Sequence, residues 1–184
     1  GIDTSENAIK ICAEKKLNVS NKSIKKIEKK FDMIVLFHVL EHLSNINYWF
    51  TELKRILNNN GILVIVVPNP ESFISDLENV VLDLPPHHNS QFFKHTFEFI
   101  AGNFNLKILD YKTEQLSYAH NQFYKQELFS NKNEELKKTF GDKIINRIFP
   151  SRNKTIVDNL SFLSYSINQQ SKLGLSHLVV FQNQ

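Results

Sequence analysis

The chain has 184 residues, 41% of them hydrophobic, enough to bury one core. A net charge of +3 is too small to argue for a nucleic-acid partner, and one cysteine, Cys12, excludes an internal disulfide framework and suits a reducing compartment. No apolar run reaches the roughly 18 residues of a membrane-spanning helix and no signal-peptide pattern opens the chain, so the expectation is a cytoplasmic protein.

Gly1-Ile2-Asp3 reads as the tail of a strand. Thr4 or Ser5 can cap the helix that follows, where Ala8, Ile9, Cys12, Ala13 and Leu17 share one face. Asn18-Val19-Ser20 is a candidate short strand, and the basic run from Lys22 to Lys30 reads as a solvated face around Ile24 and Ile27. Next comes FDMIVLFHVLEHL, residues 31–43. The continuous apolar run Met33–Phe37 predicts a strand buried on both faces, as in a parallel sheet covered by helices on either side. His38, Glu41 and His42 follow it directly. Ligands of open α/β sheets sit beyond the carboxyl ends of strands, so this loop is the candidate site.

Ser44 or Asn45 can cap a further helix with a buried stripe of Ile46, Trp49, Phe50, Leu53, Ile56 and Leu57, stopped at Asn60-Gly61. Ile62–Val67 is a second apolar strand, so the unit predicts a right-handed parallel crossover. Residues 71–84 read as partly helical, followed by Pro85-Pro86-His87-His88 and a helix over 90–103. Strands are expected over 106–113 and 175–182, as an antiparallel pair at the sheet edge. The intervening 117–172 carries helical spacing at Leu136, Phe140, Ile144 and Ile148 and again at Ile156, Leu160 and Leu163, which predicts a helical insertion.

Asp32 within FDMIVLF, then HVLEHL, then LKRILNNNGILVIVVPNP resembles the class I S-adenosylmethionine-dependent methyltransferases, in the small-molecule and sugar branch with an HVLEH motif. The resemblance covers Gly1 to about Pro86 and, more weakly, the two C-terminal strands. It implies a Rossmann-like sheet, mostly parallel with an antiparallel C-terminal strand, in a single domain over 1–184. It also implies that the first strand and the Gly-rich loop precede Gly1, and hence that these residues alone bind the cofactor poorly. S-adenosylmethionine is the implied cofactor. Asp3 would accept from the ribose hydroxyls, with Thr4 beside it, and Phe37 and His38 would lie at the methionine end. Ser20 or Asn21 could meet the adenine. His87 and His88 are the candidate bases for deprotonating an acceptor hydroxyl.

Other readings compete. His38-x-x-Glu41-His42 matches a zinc-peptidase pattern, but it follows a strand rather than lying on a helix. Some quinone O-methyltransferases carry E-x-x-E-H here and use magnesium. His38 replaces the first acid, and magnesium prefers oxygen, so no metal is expected. For Glu41 and His42 the plainer reading is hydrogen bonding at a helix entry. The expected partner is a small-molecule substrate, with a homodimer possible and no membrane or nucleic acid; an RNA methyltransferase would rest only on the Lys22–Lys30 run. The alternative of another class is a non-catalytic remnant of the fold serving as a binding or dimerisation module.

Overall fold

The computed structural model describes residues 1–72, 75, 84–115, 117 and 173–184. In chain order these form α1 (Glu6–Glu14), a 3-10 turn (Ile24–Lys26), β1 (Phe31–Phe37), a second 3-10 turn (Leu40–His42), α2 (Ile46–Ile56) and β2 (Leu57–Pro68). Then follow α3 (Lys94–Asn103), β3 (Leu106–Gln115) and β4 (Leu173–Asn183). The expected helical insertion at 117–172 and most of the helix expected at 71–84 lie outside the described residues.

The four strands form one sheet in the order β1-β2-β4-β3. β1 and β2 are adjacent and parallel, as their apolar runs predict, with Leu36 opposite Ile65 and Phe37 opposite Val66. β4 enters between β2 and β3 and is antiparallel to both. Three strands therefore share a direction, but only one of the three pairings is parallel, which corrects the expectation of a mostly parallel sheet. β3 and β4 form the expected antiparallel pair at one edge of the sheet, with β3 outermost and the last strand inside it. β4 fills the space beside β2, where Val179 and Phe181 become fully buried.

The core lies on one face of this sheet. Leu63, Ile65 and Val67 of β2 alternate inward and meet Phe50, Leu53 and Ile56 of α2 and Phe97 and Ile100 of α3. Phe181 sits centrally, with ring centroids 6.5 Å from Phe50 and 6.3 Å from Phe97. Asn45 caps α2 by accepting from the Tyr48 amide, as its sequence position suggests. α2 ends at Ile56, four residues before the expected Asn60-Gly61 stop, because Leu57 is fully buried and pairs with Phe31. The Asn58–Gly61 stretch is taken up by a bulge in β2, where a Cβ at Gly61 would come within 2.8 Å of the Asn58 carbonyl. Lys54 donates to the carbonyls of Phe104 and Asn105, which ties α2 to the end of α3. α3 begins at Lys94 rather than at Ser90, because Phe92 turns into the core and the Phe93 amide bonds to Thr96 Oγ1.

The opposite face differs from expectation. Met33, Val35 and Phe37 are 59%, 49% and 58% exposed, so β1 is not buried on both sides. α2 and α3 pack on the same side of the sheet, and among the described residues α1 contributes no buried side chain. The basic run behaves as its composition suggests. Ile24 is buried, and Arg55 donates to the carbonyls of Ile24 and Ile27 while pairing with Glu52 at 2.8 Å. Gly1–Asp3 does pair as a strand end, through a parallel bridge of Ile2 with Ser20.

Phe181→Ala is expected to cost about 3–5 kcal/mol, the range for emptying a fully buried aromatic site, measurable by urea denaturation. His177 supplies a second prediction. It is 1% exposed, with Nδ1 2.9 Å from the Tyr111 hydroxyl and 3.1 Å from that of Thr113. Burial pushes its pKa below the ordinary 6.5, an effect partly opposed by the Glu71 carboxylate. Below about pH 6.5 the unfolded chain takes up a proton that the folded chain still refuses. Stability therefore falls with pH, and the loss levels off once the folded-state pKa is passed. His177→Gln should remove this part of the acid sensitivity. Urea midpoints followed from about pH 8 to about pH 5 test it, and parallel pH profiles for the two proteins would contradict it.

Candidate functional site

The site begins where β1 ends. The His38 amide donates to the Val66 carbonyl at 2.9 Å, extending the parallel ladder by one residue. His38 has φ of 50°, and this left-handed conformation turns the chain off the sheet. Leu40, fully buried, then anchors the 3-10 turn Leu40–His42 in the core. The anchor carries its neighbour down with it, and Glu41 is only 1% exposed. Among the described residues neither Glu41 carboxylate oxygen has a hydrogen bond. His38 Nδ1 lies 3.3 Å from Glu41 Oε1 and His42 Nε2 lies 3.9 Å from it, close enough for ion pairing if protonated but without hydrogen-bond alignment.

The loop 84–90 closes over this turn. The His87 and His88 amides both point at the Leu84 carbonyl, at 3.0 and 3.2 Å, which makes a tight bend. The Asn89 amide donates to the Glu41 carbonyl at 2.7 Å and the Asn89 side chain to the His42 carbonyl at 2.7 Å. In return His42 Nδ1 bonds the His87 carbonyl at 2.7 Å. A carbonyl can only accept, so Nδ1 carries the proton. Three imidazoles are thereby gathered, with ring centroids 4.9 Å apart for His42 and His88, 5.2 Å for His42 and His87 and 5.1 Å for His87 and His88. Such a cluster can exchange protons with a ligand or hold a cation.

The candidate residues fall in two places. Asp3 is exposed, and its Oδ1 accepts the Ser5 amide at 2.7 Å while Ser5 caps α1 through the Ala8 amide. Thr4 is exposed beside it. Phe37 and His38 stand at the carboxyl end of β1, with Phe37 58% exposed and the His38 side chain 52% exposed. His87 and His88 meet His42, on the turn that follows His38, across more than forty residues of chain. Asp3 bonds instead to Ser5 and, through its amide, to the Ser20 carbonyl. An open concavity of about 410 Å³ lies elsewhere, lined by Val66, Lys112, Thr113, Glu114, Ser176 and Leu178, and contains none of these residues.

Glu41 and His42 bond the loop 84–90 rather than the entry of α2, which Asn45 caps, and among the described residues the Glu41 carboxylate has no hydrogen bond. The available signal was its place beside Leu40, an apolar residue following a buried strand, which draws the acid out of water.

The chain belongs to the methyltransferase domain family, whose model matches residues 1–111. It is 31% identical over 77 residues to a ubiquinone biosynthesis O-methyltransferase from Pelagibacter ubique (strain HTCC1062), a match covering 38% of this chain and 32% of that protein. The chain thus spans about a third of the curated relative it matches. Its fold is similar to that of a SAM-dependent methyltransferase from Archaeoglobus fulgidus, with TM-score 0.55 and 20% identity, over 100% of this chain and 75% of that one. It is also similar to phosphoethanolamine N-methyltransferase 2 from Haemonchus contortus, solved with S-adenosyl-L-methionine, with TM-score 0.50 and 14% identity, over 100% of this chain and 42% of that one.

The clasp between the turn and the loop is testable by itself. Asn89→Ala removes the side-chain bond to His42 and should cost about 1 kcal/mol. Hydrogen exchange at the amides of residues 89 and 90, which donate to the Glu41 carbonyl, should be faster in the Ala variant than in the wild type; unchanged exchange would count against the clasp.

Proposed function

We propose that the intact protein is an S-adenosylmethionine-dependent methyltransferase acting on a small-molecule hydroxyl, with a sugar as the acceptor class. The observation that carries this reading is the family match over residues 1–111, which includes the polar loop at the carboxyl end of β1. The relative from Pelagibacter ubique is named as an O-methyltransferase, which favours oxygen as the accepting atom.

The residues present fit the cofactor at two points. Asp3 offers an exposed carboxylate next to a capped helix, suited to the ribose hydroxyls, with Thr4 alongside. Phe37 and His38 offer an exposed ring and an exposed imidazole at the strand end, suited to the methionine portion. When bound, S-adenosylmethionine supplies a methyl group made electrophilic by its positively charged sulfur. The chain's own work is chiefly to position an acceptor hydroxyl in line with that carbon. The imidazoles of His87 and His88 stand at the same end of β1, where one of them takes the hydroxyl proton. The loop clasp through Asn89 and His42 holds them in place.

No helix among the described residues is long and apolar enough to cross a membrane. We place the protein in the cytoplasm on the strength of its lone thiol, Cys12. The exposed Met33, Val35 and Phe37 favour a second reading, a non-catalytic module that binds or dimerises through this face. Calorimetric titration of the intact protein with S-adenosylhomocysteine separates the two. Binding is expected, and Asp3→Ala should weaken it by about 1–3 kcal/mol. Equal affinity in both proteins would remove Asp3 from the site, and absence of binding would leave the module reading.

A further inference from the structure

Glu41 and His42 on the turn after β1 face His88 on the loop 84–90, and one ligand atom from each lies within 4.8 Å of the others. We propose that these three residues bind a divalent transition-metal ion of the zinc type, which bridges the turn and the loop. The proposal stands on this cluster alone and does not depend on methyl transfer.

The first reason is the carboxylate. Glu41 is 1% exposed, and among the described residues both of its oxygens lack a hydrogen bond. The imidazoles of His38 and His42 face its Oε1 at 3.3 and 3.9 Å without hydrogen-bond alignment, and a buried carboxylate in that state is costly unless something positive meets it. The second reason is the His42 tautomer. Its Nδ1 donates to the His87 carbonyl at 2.7 Å, so in the neutral ring Nε2 presents a lone pair. That lone pair is 3.9 Å from Glu41 Oε1. Two acceptors facing each other across a buried edge repel, and a cation between them turns the repulsion into ligation. A metal-bound histidine characteristically gives its other N–H to a carbonyl or carboxylate, and His42 has that arrangement with the His87 carbonyl.

The donor set selects the ion. Two imidazole nitrogens and one carboxylate suit zinc and its neighbours, whereas magnesium wants oxygen throughout. The sequence pattern alone gave no metal, since His38 stands where a second acid would be needed; folding adds His88 from a remote segment and makes the set nitrogen-rich. Ligand atoms around a tetrahedral zinc are about 3.4 Å apart. A small tilt of the exposed His42 ring that keeps its Nδ1 bond to the His87 carbonyl, with adjustment of the His88 side chain, can close the remaining distance. Three protein ligands leave a fourth position for water or an oxygen of a bound small molecule. With His88 on the ion, His87 is the imidazole that remains to take a proton in the proposed reaction.

The test is calorimetric titration of the chelator-treated intact protein with zinc chloride and, separately, magnesium chloride, with cobalt(II) absorption as a second readout. One zinc per chain is expected, with magnesium far weaker and with visible cobalt bands of a four- or five-coordinate site. Glu41→Gln and His88→Ala should each weaken zinc binding at least about tenfold and diminish the cobalt bands. His88→Ala lies on a loop outside the core, so it keeps the test open even if Glu41→Gln disturbs folding. No stoichiometric zinc binding, zinc affinity unchanged in His88→Ala, or magnesium bound as tightly as zinc would each overturn the proposal. None of these readouts requires S-adenosylhomocysteine to bind.

Discussion

The parallel pairing of β1 with β2 is the constraint on which the site depends. Phe37 sits opposite Val66, and the His38 amide completes the ladder on the Val66 carbonyl. Side chains alternate along a strand, so a slip of one residue would turn Leu36 out of the core and Phe37 into it. The same slip would displace Leu40 from its buried position and, with it, the turn that carries Glu41 and His42. The apolar pattern of β1 therefore fixes more than a strand. It sets the height at which the chain leaves the sheet and the direction in which its ionisable groups point.

The price of that arrangement is a carboxylate in a nearly dry position. Backbone groups around Glu41 are well used: its carbonyl accepts from the loop, and the His42 carbonyl accepts from Asn89. The side chain receives no such bond among the described residues, and His38 and His42 are the groups that face Glu41 Oε1. Backbone satisfaction holds the turn and loop together, while the carboxylate faces the imidazoles of His38 and His42. The clasp and the chemistry are thus carried by different atoms of the same residues.

Coverage of the sheet is uneven for a related reason. α2 and α3 both pack on the face formed by Leu63, Ile65, Val67, Val179 and Phe181. Insertion of β4 beside β2 gives that face its central aromatic residue and places His177 in the same row, against Tyr111. On the other face Met33, Val35 and Phe37 keep about half or more of their surface exposed. The exposed end of that row is Phe37, next to His38, so an apolar surface leads directly to the polar site.

Much of the architecture was legible in the residues themselves. Two apolar runs joined by an Asn45-capped helix determined a parallel pair, since a helical crossover of that length permits no hairpin. His38, Glu41 and His42 were recognisable as a candidate site because polar groups end an apolar strand. Sequence could not determine that β4 enters between β2 and β3, because the apolar run Leu178–Phe181 marks a strand but not its neighbours. Nor could it show that Glu41 is buried without a hydrogen bond, or that His87 and His88 meet His42. Burial of one side chain depends on the packing of its neighbours, and contact between residues 42 and 88 depends on how the intervening chain returns. Both are decided only when the tertiary structure brings distant segments together.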